Sequence, residues 1–278
     1  MRVHITRRYK LVLQTRLFRP LLLCFFNVVD KVHKYRMALE SDLNHRSEER
    51  LQSVLTPAFV RSGFFKGLQY EGVISHGSQY YPKLIGSYEE PIQKQIQNLL
   101  DPTPDLIVDI GCAEGYYAVG LARQFLRNQI RVIAIDTDRK ALKQCSKLAR
   151  INSVEEHIAF YNSFNEDIFK EISKAKRPFI LCDCEGCEHT IFNQANIKEF
   201  NHCILAIELH EFVVHEIEVY LKALFRTSHE LILIKDEKRN FNKYKVLNGL
   251  SYYAKNYAVN ERRPVRMKWL FAIPTDSI

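Results

Sequence analysis

From residue 106 onward the chain alternates apolar runs of strand length with amphipathic helical stretches, and few folds accommodate that alternation. The runs are "LIVDI", "RVIAID", "HIAFYN", "PFILCD", "CILAIEL" and "ELILIK", while "YYAVGLARQFLRN" and "DRKALKQCSKLARIN" between them carry helical spacing. Runs without polar alternation suit strands covered on both faces. The expectation is a parallel sheet flanked by helices on each side. A last strand, "KWLFAI", follows a long basic, aromatic-rich stretch.

The chain ahead of this pattern divides in two. Residues 1–60 read as a basic, mostly helical extension, because good helix formers run with few breakers up to Pro57. Residues 61–100 read as a lead-in that packs on the core. Five glycines and several aromatic pairs in 61–90 suggest short strands and turns, followed by the helix "EEPIQKQIQNLL" and the linker "DPTPD". Residues 101–278 form the main domain.

Charge is concentrated at one end. Residues 1–36 carry nine lysines and arginines against the single acid Asp30, a surplus of +8 that equals the net charge of the whole chain. Residues 37–278 therefore sum to zero, and generic nucleic-acid binding by the body is not supported. Within the arm, the apolar run Leu21 to Val29 is far shorter than the roughly 20 residues that span a bilayer. No small-x-small cleavage site follows it. Two readings stand: a helix starting near Pro20 that packs on the body, and an interfacial helix that contacts an anionic membrane surface. Seven cysteines without framework spacing point to a reducing, cytoplasmic setting, with the inner membrane surface as a peripheral alternative.

"LIVDIGCAEGYYAVGLA" places a turn with Gly111 and Gly115 between the first strand and its helix. Backbone can approach a ligand closely there, and helix N-terminal N–H groups point at it. Dinucleotide sites use G-x-G-x-x-G, whose middle glycine makes room for a pyrophosphate. Here the turn reads Gly111-Cys112-Ala113-Glu114-Gly115, and an acid inside it repels a pyrophosphate but tolerates a cationic ligand. Asp136 closes the second strand, where a carboxylate can accept both ribose hydroxyls; Asp138 or Thr137 could cap the helix that follows. The pattern fits S-adenosylmethionine better than NAD.

"VDIGCAEGYYAVGLA" resembles motif I of the class I S-adenosylmethionine-dependent methyltransferases, and Asp136 matches the acid that closes their second strand. "CDCEGCE" resembles the D-x-E-G-x-E turn of the FkbM-type methyltransferases, and "ILAIELHEF" the strand after it. "PKLIGSYEEPI" and "ERRPVRMKWLFA" also resemble segments of bacterial relatives, so the likeness covers roughly residues 61–275. It implies an α/β, Rossmann-like seven-stranded methyltransferase sheet of order 3-2-1-4-5-7-6, its last strand antiparallel, behind an N-terminal helical extension. It further implies S-adenosylmethionine across the carboxyl ends of the first strands. Asp109, Gly111, Cys112, Ala113, Glu114 and Gly115 would then surround its methionine part, with Asp136 and Thr137 at the ribose. Asn162 and Ser163 would lie near adenine, Asp183 closest to the sulfonium, and Tyr88 and Glu89 would close from the N-terminal side.

"LCDCEGCEH" crowds three cysteines, three carboxylates and a histidine together. Zinc would take Cys184 and Cys187 at C-x2-C spacing with His189 nearby, but no second such pair occurs. A thioredoxin-like pair would open a helix after a first strand. The cysteines accordingly read as small packing residues. The carboxylates read as functional, because this turn reaches the same sheet edge as Gly111 and Asp136, and neighbouring carboxylates can tune one another as bases. The resemblance favours in-line O-methylation of a hydroxyl on a small molecule or glycan precursor, with Asp183, Glu185 or His210 as base. A divalent metal on Asp183 and Glu185 is left open, with no third ligand assigned. The basic excursion before the last strand is a candidate reader of an anionic or sugar substrate. Rival readings are an RNA methyltransferase gripping phosphates through the arm, and a non-catalytic membrane-associated protein that keeps the fold. Against the first, no N-P-P-Y-like motif follows the fourth strand.

Overall fold

The computed structural model describes residues 19–263 and 265–275, so Arg2, Arg7, Arg8, Lys10 and Arg16 of the basic arm lie outside the described residues. Each apolar run becomes a strand: β1 (Leu106–Ile110), β2 (Arg131–Ile135), β3 (Ile158–Tyr161), β4 (Pro178–Cys182), β5 (Ile204–Glu208), β6 (His229–Lys235) and β7 (Lys268–Pro274). They form one α/β sheet in the order β3-β2-β1-β4-β5-β7-β6. β1 to β5 run parallel, and β7 is antiparallel to both β5 and β6. This is the order that the resemblance implied.

Burial explains the unbroken apolar runs. All five residues of β1, β4 and β5 are buried. Ile107, Phe179, Leu181, Ala206, Trp269 and Phe271 pack on one face, and Val108, Ile110, Ile180, Leu205, Ile207 and Leu270 on the other. Each buried Val, Leu, Ile or Phe among them contributes roughly 1.5–3 kcal/mol, which favours apolar residues on both faces of a central strand. The flanking helices are α1 (Arg19–Leu55), α2 (Tyr80–Ile85), α3 (Glu90–Leu99), α4 (Tyr116–Gln124), α5 (Arg139–Ile151), α6 (Glu166–Lys174), α7 (Glu188–Ile191), α8 (Ile217–Phe225) and α9 (Tyr252–Val259). Asp138 caps α5 by accepting from Lys140 N at 2.7 Å, which frees Asp136 from that task.

Two expectations are corrected. The lead-in holds no named strand, only an isolated bridge between Phe59 and Gln69, and then the unexpected α2. All five of its glycines take left-handed φ, which breaks the pleat and turns the chain back on itself. The second concerns α1. Its residues 28–42 are exposed, and its burial against the body begins at Leu43. There Tyr253 donates to Asn44 at 2.9 Å, Tyr257 donates to Glu48, and Leu51 and Leu55 are buried. α9, with eight residues, is too short to cover more than the last turns of a 37-residue helix.

Candidate active site

A cavity of about 730 Å³ opens at the carboxyl ends of β1, β2, β4 and β5. Hydrogen bonds stitch its floor together: Gly111 N and Cys112 N donate to Ile135 O at 2.8 and 2.9 Å, and Asp183 N donates to Ile110 O at 2.8 Å. The turn after β1 therefore sits against the ends of both β2 and β4. Tyr88 and Arg263 form part of the opposite wall, and Arg263 Nη2 donates to Tyr88 Oη at 3.2 Å. Arg263 also pairs with Glu89 and with Glu208, the latter at 2.6 Å, so the chain before β7 is tied to the loop before α3.

Within the glycine turn the two acids have opposite fates. Asp109 is 1% exposed and lines the cavity, and neither of its carboxyl oxygens has a hydrogen-bond partner. Burial, opposed by the Ala118 amide and reinforced by Asp183, Asp136 and Glu114, pushes its pKa up to about 8. Glu114 is turned away from the cavity. It is completely buried, takes an ion pair from Lys83, and accepts from Tyr70 Oη at 2.8 Å and His76 N at 2.9 Å. Burial opposes its ionisation, but Lys83, with the bonds from His76 N and Tyr70 Oη, holds its carboxyl below the usual range. Glu114 thus anchors the lead-in to the turn, and the expectation that it meets the ligand is corrected. Lys83→Met should destabilise the fold by about 3–5 kcal/mol in urea unfolding, because a buried carboxylate would lose its counter-charge. Adding Glu114→Leu should recover most of that loss, and an additive loss instead would reject the anchor.

Asp136 reaches back over the turn. Its Oδ2 accepts from Ala113 N at 2.9 Å and its Oδ1 from Asp138 N at 2.8 Å, each oxygen keeps capacity for a further bond, and the residue lines the cavity. Ala113 pays for this approach with a left-handed φ of 49°.

The acidic turn and the end of β5 build a second centre. His210 is 1% exposed, and its Nδ1 meets Glu188 Oε1 at 2.5 Å. Its Nε2 faces Asp183 Oδ1 and Glu185 Oε2, each at 3.4 Å, and Glu208 Oε2 at 3.6 Å. One imidazole therefore sits among four carboxylates. Burial opposes its protonation, yet the Glu188 hydrogen bond and the charges of Asp183, Glu188 and Glu185 prevail and raise its pKa. Burial, then Asp183 beside it, drives the Glu208 carboxyl well above its usual range despite the Arg263 contact. Burial likewise raises Asp183, and Glu185 is raised by burial and by Asp183. Donor atoms of Asp183, Glu185 and His210 lie within 4.8 Å of one another, close enough to share a divalent cation.

The cysteines need a correction. Cys184 and Cys187 are joined by a disulfide with Cα atoms 5.5 Å apart, and Cys182 is buried with its Sγ 3.7 Å from that of Cys184. Left-handed Glu185 (φ 55°) and Gly186 (φ 106°) fold the loop so that the two sulfurs meet. Packing describes Cys182 but not the pair.

Among the expected residues, Asp109, Gly111, Cys112, Ala113, Asp136, Thr137, Ser163, Asp183, Glu185 and His210 border the one cavity. Glu89 does not: it is 1% exposed and held by Arg263 and by Tyr117. Asn162 is exposed off the cavity, while its neighbour Phe164 lines it, with its ring 4.8 Å from that of Phe169. Gly115 serves packing, since a Cβ there would lie 2.5 Å from Cys145 Sγ. Sequence reasoning missed Arg263, Glu208, Glu188 as the partner of His210, and Phe164. Only Glu188 carried a signal, as the last acid of the D-x-E-G-x-E turn.

No family model matches the chain, and no curated relative matches it. Similar solved structures include the O-methyltransferase TomG from Streptomyces achromogenes in complex with S-adenosylmethionine, at 11% identity and TM-score 0.47, covering 67% of this chain and 80% of that one. An rRNA methylase from Streptococcus thermophilus matches at 15% identity and TM-score 0.44, covering 66% and 97%. A precorrin-6y C5,15-methyltransferase from Geobacter metallireducens matches at 11% identity and TM-score 0.43, covering 67% and 89%.

Proposed function

We propose that this protein is an S-adenosylmethionine-dependent methyltransferase of the FkbM type that O-methylates a hydroxyl on a small molecule or glycan precursor. The observation that carries the reading is Asp109, a buried carboxyl without a partner beside the Gly111 turn. The wall's basic groups are already engaged: Lys83 by Glu114, Arg263 by Glu89 and Glu208, His76 by Asp138, and Arg262 over the Tyr257 ring. What the cavity has in surplus is acid. A cationic, ribose-bearing ligand fits that surplus, whereas a pyrophosphate or a nucleic-acid backbone does not.

The donor set suits S-adenosylmethionine. Asp109 would hold the ammonium and Asp136 the ribose hydroxyls. Phe164 and Ile135 offer an apolar bed for adenine. Once bound, the cofactor supplies a sulfonium methyl that an acceptor oxygen can displace in line. His210 takes the acceptor's proton at Nε2, Glu188 keeps Nδ1 oriented, and Asp183 and Glu185 favour the imidazolium that results. Tyr88 and Phe212 line the same cavity, with the Phe212 ring 5.7 Å from that of His210.

Calorimetry with S-adenosylmethionine and S-adenosylhomocysteine tests this. Both should bind, and Asp136→Ala should weaken binding by about 10–100-fold, the scale of losing charge-assisted hydrogen bonds. Asp109 adds a proton signature. With a pKa of about 8 it is mostly protonated at pH 7, and an incoming ammonium should ionise it, releasing up to about one proton per ligand. Titrations in buffers of different ionisation enthalpy would read that release, which Asp109→Asn should abolish. Folded protein that takes up neither ligand would overturn the reading.

A further inference from the structure

We propose that the N-terminal half of α1 docks onto an anionic lipid bilayer, lying in its interface without crossing it. The proposal is independent of the enzymatic reading. Residues 28–42 of α1 are exposed, and partly buried positions begin only at Leu43. Phe25, Phe26, Val28, Val29 and Val32 are 45–63% exposed, and the spacing of Phe25, Val28, Val29 and Val32 puts those four on one helical face. A continuous apolar face held in water calls for a partner.

Charge says which partner. Lys31, Lys34 and Arg36 lie on the same stretch, and residues 1–36 hold nine basic residues against one acid while the charges of residues 37–278 cancel. An apolar face beside concentrated positive charge matches a layer of acidic headgroups over acyl chains. No helix among the described residues is long and apolar enough to cross a membrane, so insertion is shallow. A second copy of the chain fits less well. Phe25, Val28, Val32, Tyr35 and Leu39 also have heptad spacing, but a parallel pair in that register would set Lys31 of one helix against Arg36 of the other. Like charges there oppose self-association.

The test is flotation of the full chain with two sets of vesicles, phosphatidylcholine mixed with phosphatidylserine and phosphatidylcholine alone. The protein should rise with the mixed vesicles at low salt, be released at high salt, and ignore the neutral ones. Two triple variants should each cut partitioning by roughly 100-fold: Phe25→Ser/Val29→Ser/Val32→Ser, and Lys31→Glu/Lys34→Glu/Arg36→Glu. Both sets of positions are exposed, so thermal unfolding of the body should not move. Equal binding to both vesicle types, or partitioning that survives both variants, overturns the proposal. So does absence of flotation, and a concentration-dependent dimer abolished by the serine variant would then assign the face to a second copy.

Discussion

Gly111→Ala is expected to abolish S-adenosylmethionine binding and to destabilise the fold by about 3 kcal/mol or more, the larger part from backbone collision. A Cβ on Gly111 would lie 1.8 Å from Asp183 O, 2.7 Å from its carbonyl carbon and 3.3 Å from Cys184 Cα. These are backbone atoms of the neighbouring turn, so no rotamer change relieves the contact. The turn would have to leave β4, breaking the bonds from Gly111 N and Cys112 N to Ile135 O and from Asp183 N to Ile110 O. Asp109, Asp136 and Asp183 would then no longer face one cavity. Gly249→Ala supplies the control, because its φ of 82° matches the 83° of Gly111 but a Cβ there meets nothing within 4 Å. It should cost only the left-handed penalty of about 1–2 kcal/mol and leave ligand binding intact. Urea unfolding and calorimetry on the two variants separate the effects. Equal losses would mean that the close approach of the two turns does not matter.

The strands were legible because a strand buried on both faces leaves an unmistakable apolar run, and the runs for β1, β4 and β5 are buried at every residue. Much of the site followed from them. Gly111, Asp136, Asp183 and His210 each come just after a strand in the same half of the sheet, so parallel topology alone brings them to one edge. What stayed hidden depends on pairing across distance. Glu114 was given the ligand-selecting charge because it sits in the turn, but Lys83, thirty-one residues earlier, claims it, and the unpartnered carboxyl is Asp109. Arg263 lies in a segment with no strand or helix pattern, and its partners Glu89 and Glu208 are 174 and 55 residues away. The disulfide required knowing that Glu185 adopts a left-handed φ, which propensity gives no reason to expect. The exposed half of α1 was equally unreadable, since an apolar stripe shows that a helix wants a partner without showing whether the body reaches it.

His210→Gln is expected to lower the turnover rate by about 10²–10⁴-fold, the usual worth of a positioned proton acceptor, while leaving S-adenosylmethionine affinity nearly unchanged. Glutamine is the informative replacement because its amide can still donate to Glu188, so the four surrounding carboxylates are not stripped of every donor at once. Methyl transfer from labelled S-adenosylmethionine to a panel of hydroxyl-bearing small molecules and sugar nucleotides gives the rate. The pH profile then distinguishes a base from a prop. A base must be neutral to accept the proton, so activity should fall as pH drops through the His210 pKa. Because Glu188, Asp183 and Glu185 together raise that pKa, the limb should lie above the ordinary 6.5. Glu188→Gln removes the largest of those supports, and its limb should shift to lower pH. A purely structural histidine would leave the limb where it was. Chelation completes the test: a rate that withstands EDTA leaves the proton with the imidazole. Loss of rate that Mg²⁺ or Mn²⁺ restores would instead make His210 a ligand, with Asp183 and Glu185, of a cation that acidifies the acceptor hydroxyl.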